Sequence, residues 1–360
     1  MPTLRDVAAR AGVHPGTVSR ALNPETRALV KPQTAQRVLK AAEALGYQPN
    51  PIARGLKTNR SMTVGVVIPD LTNPLFPPIV RGIEDVLMPG GYSPLLINTD
   101  NNAEREAQLV ASLRGRQVDG FIFATARLKH PLIADLAAEG VPIVLVNRRL
   151  DSPELPTVTS DDAAGVVMAL RHVVDLGHTE IAYISGPRWT STGQARLRAF
   201  KMGMADLGLD SSRVVESNMW SEQQGEEALG KLLERHPGFT AVLAGNDLLA
   251  LGCYDLMHKR AISCPGEISV VGFNDMPLVD KVRPALTTIA LPHYQIGTEA
   301  ARLLLERIRQ PQDPPKSVLL PLSLVVREST AAPPAAAPSS SAHPTRKGAQ
   351  TKPDPRRPAG

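Results

Sequence analysis

Only two cysteines, Cys253 and Cys264, occur in 360 residues. So few sulfurs exclude a disulfide scaffold and a four-cysteine zinc site. Aromatic side chains make up only 4% of the chain, and no stretch approaches the roughly 18 uninterrupted apolar residues that a membrane span requires. The opening Met1-Pro2-Thr3-Leu4-Arg5-Asp6 lacks the apolar core of a secretory signal, so a cytoplasmic protein with reduced thiols is expected. Catalytic signatures are missing too: there is no Gly-x-Ser-x-Gly elbow, Walker loop, Gly-x-Gly-x-x-Gly turn or His-Glu-x-x-His pair. The eight histidines are dispersed, and His178, in Leu176-Gly177-His178, reads as a turn residue. Enzyme chemistry, a cofactor and a metal are all unexpected.

Charge is unevenly spread. The formal net charge is +5, yet residues 1–60 hold ten Lys/Arg against three Asp/Glu, and residues 331–360 hold five against one. The residues between carry a net charge of −6. A basic head on an acidic body points to a polyanion as partner of the head alone, although a solvated basic surface has the same charge count. At roughly 150 residues per domain, the length allows two or three domains with sizeable cores.

The head predicts three short helices and a weaker fourth. Thr3 can cap the first, with Asp6 in the capping-box position and Leu4, Val7, Ala8 and Ala11 on one face. Gly12 ends it. Pro15 opens the second helix, with Val18, Ala21 and Leu22 inward. Pro32 opens a third, with Ala35, Val38, Leu39, Ala42 and Leu45 inward and Gly46 as its stop. From about residue 62, apolar runs at 64–68, 95–97, 121–123, 143–146, 181–184, 241–243 and 268–271 read as buried strands. Amphipathic stretches at 79–87, 104–113, 163–175, 194–207, 222–234 and 248–258 read as helices. This alternation predicts an α/β fold of parallel sheets covered on both faces, arranged as two doubly wound lobes. A ligand would sit at the C-terminal strand ends, in the cleft between the lobes. Residues 331–360, rich in Ala, Pro and Ser, have no apolar periodicity and are expected to be disordered.

Asp6-Val7-Ala8-Ala9-Arg10-Ala11-Gly12-Val13, followed by Thr17-Val18-Ser19-Arg20-Ala21-Leu22-Asn23, is a helix-turn-helix pattern. A small Ala8, the turn at Gly12 and an apolar Val18 let two helices cross closely, so that the second projects into a major groove. The bare spacing also suits a small helical packing module; the basic charge of the head favours DNA. The head resembles that of the LacI/GalR family of bacterial transcriptional regulators. The match continues through Leu45-Gly46-Tyr47-Gln48-Pro49-Asn50-Pro51-Ile52-Ala53-Arg54-Gly55-Leu56. It resumes at Gly65-Val66-Val67-Ile68-Pro69-Asp70-Leu71-Thr72-Asn73-Pro74, Arg81-Gly82-Ile83-Glu84, Val118-Asp119-Gly120, Gly177-His178, Gly245-Asn246-Asp247 and Pro284-Ala285-Leu286-Thr287-Thr288-Ile289.

The resemblance implies a helix-turn-helix domain at 1–48, a hinge helix or linker at 49–60, and a periplasmic-binding-protein-like, two-lobed effector and dimerisation domain at 61–330, before the tail at 331–360. It implies DNA contacts from Thr3, His14, Pro15, Gly16, Thr17, Ser19, Arg20, Asn23, Thr34 and Tyr47, and from Asn50, Ala53 and Leu56 in the hinge. That hinge would fold only on specific DNA and drive Leu56 into a minor-groove base step. The residues themselves show only that Ala53 and Leu56 lie three apart, a spacing that an ordinary linker helix shares. The loop at 24–29 is longer than the family's, and Lys31 stands where a Ser usually caps the third helix. With Gly16 unable to read a base, Arg20 is expected to carry more of the discrimination.

For the body, the resemblance implies an effector held by Leu75, Phe76, Asn147, Asp161, Thr190, Thr192, Arg196, Trp220, Asn246 and Asn274. Relatives usually carry Asp at the positions of Asn147 and Asn274. A pocket that loses those charges while keeping Arg196, with Arg148 nearby, tolerates an anionic ligand better. The expected protein is thus a dimeric transcriptional regulator, most simply a repressor. Its partners would be near-palindromic double-stranded operator DNA, a small sugar, sugar acid or other polar metabolite, and a second copy of itself, with no membrane. A transporter's solute-binding protein shares the two-lobed body but needs a signal peptide and no basic head. An enzyme of sugar or nucleotide metabolism lacks its catalytic set.

Overall fold

The computed structural model describes residues 2–23, 26–47, 60–152 and 154–335. In the head, each helix carries its own start, stop and apolar face. Helix α1 (Leu4–Ala11) begins with a closed capping box: Thr3 Oγ1 accepts the Asp6 N–H, and the Asp6 carboxylate accepts the Thr3 N–H at 2.7 Å. Gly12, left-handed at φ 61°, ends it. Helix α2 (Pro15–Leu22) starts on its proline, and His14 Nδ1 accepts the Gly16 N–H at 3.1 Å. After a 3₁₀ turn at Arg27–Leu29, helix α3 (Pro32–Ala44) begins at Lys31 with no side-chain cap.

Every fully buried side chain of this three-helix core is Val or Ala, which allows the close crossings that a turn of this length demands. Leu39, expected inward, is 38% exposed, and Ala41 is buried instead. One helical step of 100° past Val38 carries residue 39 out of the seam, whereas residues 41 and 42 return to it.

Two six-stranded sheets follow. Strands β1 (Thr63–Ile68), β2 (Ser93–Asn98), β3 (Gly120–Phe123), β4 (Ile143–Val146) and β5 (Thr157–Ser160) build the first, and β6 (Ile181–Ser185), β7 (Val214–Glu216), β8 (Ala241–Ala244), β9 (Ser269–Asn274) and β10 (Thr287–Ala290) the second. Strand β11 (Ser317–Leu320) returns to the edge of the first sheet beside β5, and β12 (Ser323–Val325) pairs antiparallel with β10. The orders are β11-β5-β4-β3-β1-β2 and β12-β10-β9-β8-β6-β7, with every other pairing parallel. The chain thus passes between lobes three times: after β5, after β10 and after β11.

Helices α4 (Phe76–Leu87), α5 (Ala103–Gly115) and α6 (Pro131–Ala138) belong to the first lobe. Helices α7 (Asp162–Asp175), α8 (Ser191–Asp206), α9 (Glu222–Arg235) and α10 (Asp247–Lys259) belong to the second. Helix α11 (His293–Arg309) comes back to pack on α4. That contact is backbone to backbone: a Cβ at Gly82 would stand 2.2 Å from the Tyr294 carbonyl oxygen, and one at Gly297 2.0 Å from that of Ile79. Gly297→Ala is therefore expected to force the helices apart and lower the unfolding free energy by about 1–3 kcal/mol, as urea denaturation would show. An unchanged midpoint would mean that the helices meet less closely.

Two details depart from the sequence reading. His178 follows the turn that ends α7, as expected, but its side chain does more than turn the chain: it is 1% exposed, with its ring nitrogens 2.7 Å from Thr240 Oγ1 and 2.8 Å from the Ala331 carbonyl oxygen. The chain therefore stays bound to the second lobe at Ala331, where Ser269 Oγ also donates to that carbonyl. The segment expected to be disordered thus begins with an attached residue, and its part beyond 335 lies outside the described residues.

Candidate functional site

Turns at the C-terminal ends of strands converge on a cleft between the lobes. Asn73, Leu75 and Phe76 come from the turn after β1, and Asn147 and Arg148 from the end of β4. Thr192 and Arg196 lie on the first turns of α8, Trp220 precedes α9, Asn246 precedes α10, and Asn274 ends β9. Together they line a partly open cleft of about 290 Å³, a figure that takes in solvent space at its mouth. This is the ligand position of open α/β sheets, with two lobes facing each other across it.

The local backbone is shaped for these side chains. Asn147 and Asn274 take positive φ values of 63° and 126°, which asparagine tolerates better than most residues. Asn73 Oδ1 accepts the Leu75 N–H at 3.0 Å, and Asn246 caps α10 by accepting the Leu249 N–H at 2.9 Å. Trp220 packs directly against Gly186, where a Cβ would fall 1.8 Å from the indole.

Arg196 is the electrostatic centre of the second lobe's wall. It is 3% exposed; its Nε donates to Asp162 Oδ1 and its Nη1 to the Gly245 carbonyl oxygen, both at 2.7 Å. Its guanidinium carbon sits 3.7 Å from the centroid of the Phe273 ring and 5.9 Å from that of Trp220. Burial pushes the Asp162 carboxyl up, and Arg196 draws it back.

Asp247 ties two cleft turns together. It is fully buried behind Asn246; Oδ1 accepts the Thr288 hydroxyl at 2.6 Å and Oδ2 the Met276 N–H at 2.8 Å. Burial pushes its carboxyl up to about 6 against those two bonds. A folded-state value above the ordinary 3.8 means a contribution to stability that is complete below 3.8 and lost as pH rises through about 6. The shift is worth about 3 kcal/mol. Asp247→Asn is expected to gain on the wild type by about that amount between about pH 4 and about pH 7 in urea titrations. A difference independent of pH would show that the carboxyl ionises normally.

Of the ten effector residues expected from sequence, eight line the cleft: Leu75, Phe76, Asn147, Thr192, Arg196, Trp220, Asn246 and Asn274. Asp161 and Thr190 do not. Asp161 caps α7 by accepting the Ala164 N–H, and Thr190 caps α8 by accepting the Gly193 N–H while donating to the Pro187 carbonyl. Asn73, in the Leu71-Thr72-Asn73-Pro74 segment, lines the cleft as well, although nothing in its local sequence marks it as a ligand residue. Asp275, next to Asn274, pairs with Arg327 at 2.7 Å. Among the described residues, no group of three or more His, Cys, Asp or Glu could hold a metal ion, and no helix is long and apolar enough to cross a membrane.

In the head, none of Thr3, His14, Pro15, Gly16, Thr17, Ser19, Arg20, Asn23, Thr34 and Tyr47 is buried, so this polar face stays available. Asn50, Ala53 and Leu56, with the hinge transition expected of them, lie outside the described residues.

Comparison with known proteins finds a family match for the head and another for the core. Residues 3–50 match the family model "Bacterial regulatory proteins, lacI family", and residues 61–328 match "Periplasmic binding proteins and sugar binding domain of LacI family". Catabolite control protein A of Priestia megaterium is 35% identical over 331 residues, covering 91% of this chain and 99% of that protein. Among solved structures, the lac repressor dimer bound to operator and an anti-inducer aligns with a TM-score of 0.81 at 28% identity, over 92% of this chain and 99% of that one. A complex of the transcriptional regulator CelR with cellobiose aligns with a TM-score of 0.70 at 31% identity, over 91% of this chain and all of that one. The chain belongs to the LacI family of bacterial regulatory proteins, its helix-turn-helix head joined to that family's periplasmic-binding-protein-like core.

Proposed function

We propose that this protein is a cytoplasmic, non-enzymatic transcriptional repressor, which binds operator DNA as a homodimer and responds to a small polar effector in the interlobe cleft. One observation carries the reading: a basic helix-turn-helix head whose polar face is not buried shares the chain with an interlobe cleft lined by asparagines and Arg196. The similarity to an operator-bound dimer and to a cellobiose complex supports the DNA, the assembly and the class of ligand. Paired heads on a two-fold axis demand a near-palindromic site.

The three passages between lobes supply the coupling. A ligand that touches both walls changes the angle between them, and all three connecting strands must follow. An effector that weakens the operator complex must, by linkage, bind less tightly to the DNA-bound protein. The experiment is selection of operator DNA from a random pool, then gel shifts with and without a panel of sugars, sugar acids and sugar phosphates. A symmetric selected site released by one of those compounds is the expected result. A protein that selects no DNA sequence yet binds a sugar would be a solute-binding protein instead.

A further inference from the structure

Among the described cleft-lining residues, Arg148 alone has buried side-chain polar atoms without a hydrogen-bond partner: its Nε and Nη1. The residue is only 4% exposed. Arg196 across the cleft is held through its Nε by Asp162 and through its Nη1 by Gly245, whereas among the described residues no carboxylate lies within ion-pair distance of Arg148. Two buried N–H groups of a cation left without acceptors are strongly unfavourable, and burial pushes the Arg148 guanidinium down to about 10 even though the charge of Glu106 draws it back.

The surrounding groups do not supply what Arg148 lacks. Its guanidinium and that of Arg127 both lie against Trp189, at 5.6 and 5.0 Å from the ring centroid. Arg127 donates to the Asn101 carbonyl oxygen at 2.9 Å and adds charge of the same sign. Glu106 is buried behind them, bonded by the Thr125 hydroxyl and 3.5 Å from His130 Nε2. With Glu106 ionised, the Arg127, Arg148 and Glu106 group carries one net positive charge, which a single carboxylate neutralises. The side chains at 147 and 274 are amides and contribute none.

We propose that Arg148 receives the carboxylate of the effector, which is a small hydroxylated monocarboxylate of the sugar-acid class. Asn73, Asn147, Asn246 and Asn274 offer amide donors and acceptors for its hydroxyls. This rests on the reading of the cleft as the effector site.

The test uses intrinsic fluorescence, because the only two tryptophans, Trp189 and Trp220, both stand at the site. The full-length protein is titrated with gluconate, galactonate and glucuronate, with glucose and galactose, and with glucose 6-phosphate and inorganic phosphate. At least one acid is expected to bind tenfold or more tightly than its neutral parent and than either phosphate. Arg148→Gln should abolish that preference while keeping the wild-type melting curve. Asn147→Asp, which sets a carboxylate beside Arg148, should weaken the acid at least tenfold and the neutral sugar little. If a neutral sugar binds and releases selected DNA while no acid does, the Arg148 assignment falls and the effector cleft stands. Binding of the phosphate ester alone, or an acid preference that survives both substitutions, also overturns the assignment. If nothing binds while DNA selection succeeds, the cleft reading itself falls with it.

Discussion

Arg196→Ala is expected to lower the unfolding free energy of the core by about 3–5 kcal/mol. The side chain lies at a packed junction: one guanidinium edge holds Asp162, a second nitrogen holds the Gly245 carbonyl, and the plane covers Phe273. Removal strands the Asp162 carboxylate in a site where burial already opposes its charge. Adding Asp162→Asn to the same chain should recover most of the loss, because no unpaired charge then remains. Urea denaturation of the two single variants and the double variant closes the cycle. Arg196 therefore serves the fold, and a missing effector response in Arg196→Ala counts only if the variant is folded at the assay temperature. Were the single variant within about 1 kcal/mol of the wild type, the ion pair would be as weak as a surface one.

The second large effect concerns DNA. If the two heads neutralise six to ten phosphates, operator affinity should fall by about 10³–10⁵ between about 50 and about 200 mM salt. Within that electrostatic background Arg20 acts differently. It is exposed on α2, where its Nε donates to the Gly16 carbonyl oxygen at 3.3 Å. Arg20→Ala is expected to cost about 1–3 kcal/mol at the selected operator and to relax the preference at one base pair per half-site. Affinity for unrelated DNA and the salt slope should change little. A uniform loss on all sequences would make Arg20 a phosphate contact.

Much of this was legible in the sequence, for identifiable reasons. Strands buried on both faces, such as Val64 to Ile68 and Ile143 to Val146, announce themselves as apolar runs. Strand β5, Thr-Val-Thr-Ser, is buried but carries no apolar run, and β11 and β12 are short, half-exposed edge strands. Helix α11 buries Ile296, Ala300, Leu304 and Ile308 at helical spacing but starts without a side-chain cap, and it went unread. Asp161 and Thr190 sit within a turn of the cleft, yet capping turns their side-chain oxygens back to their own helices. His178 finds its partners 62 and 153 residues away, which no local pattern encodes.

The glycine-lined contact between α4 and α11 has a consequence for synthesis. The first lobe is assembled from two separate stretches of chain, Thr63 to Ser160 and His293 to Leu320, with almost all of the second lobe translated in between. At about 5–20 residues per second, the ribosome leaves the first stretch without its partner helix for on the order of 10 s. During that interval Ile79, Ile83 and the bare backbone at Gly82 form an uncovered apolar groove at the nascent chain's N-terminal half. The second lobe, nearly contiguous from Asp162 to Ala290, can collapse while the first still waits. Chaperone engagement during translation should therefore concentrate on residues 63–160 and end once α11 clears the exit tunnel.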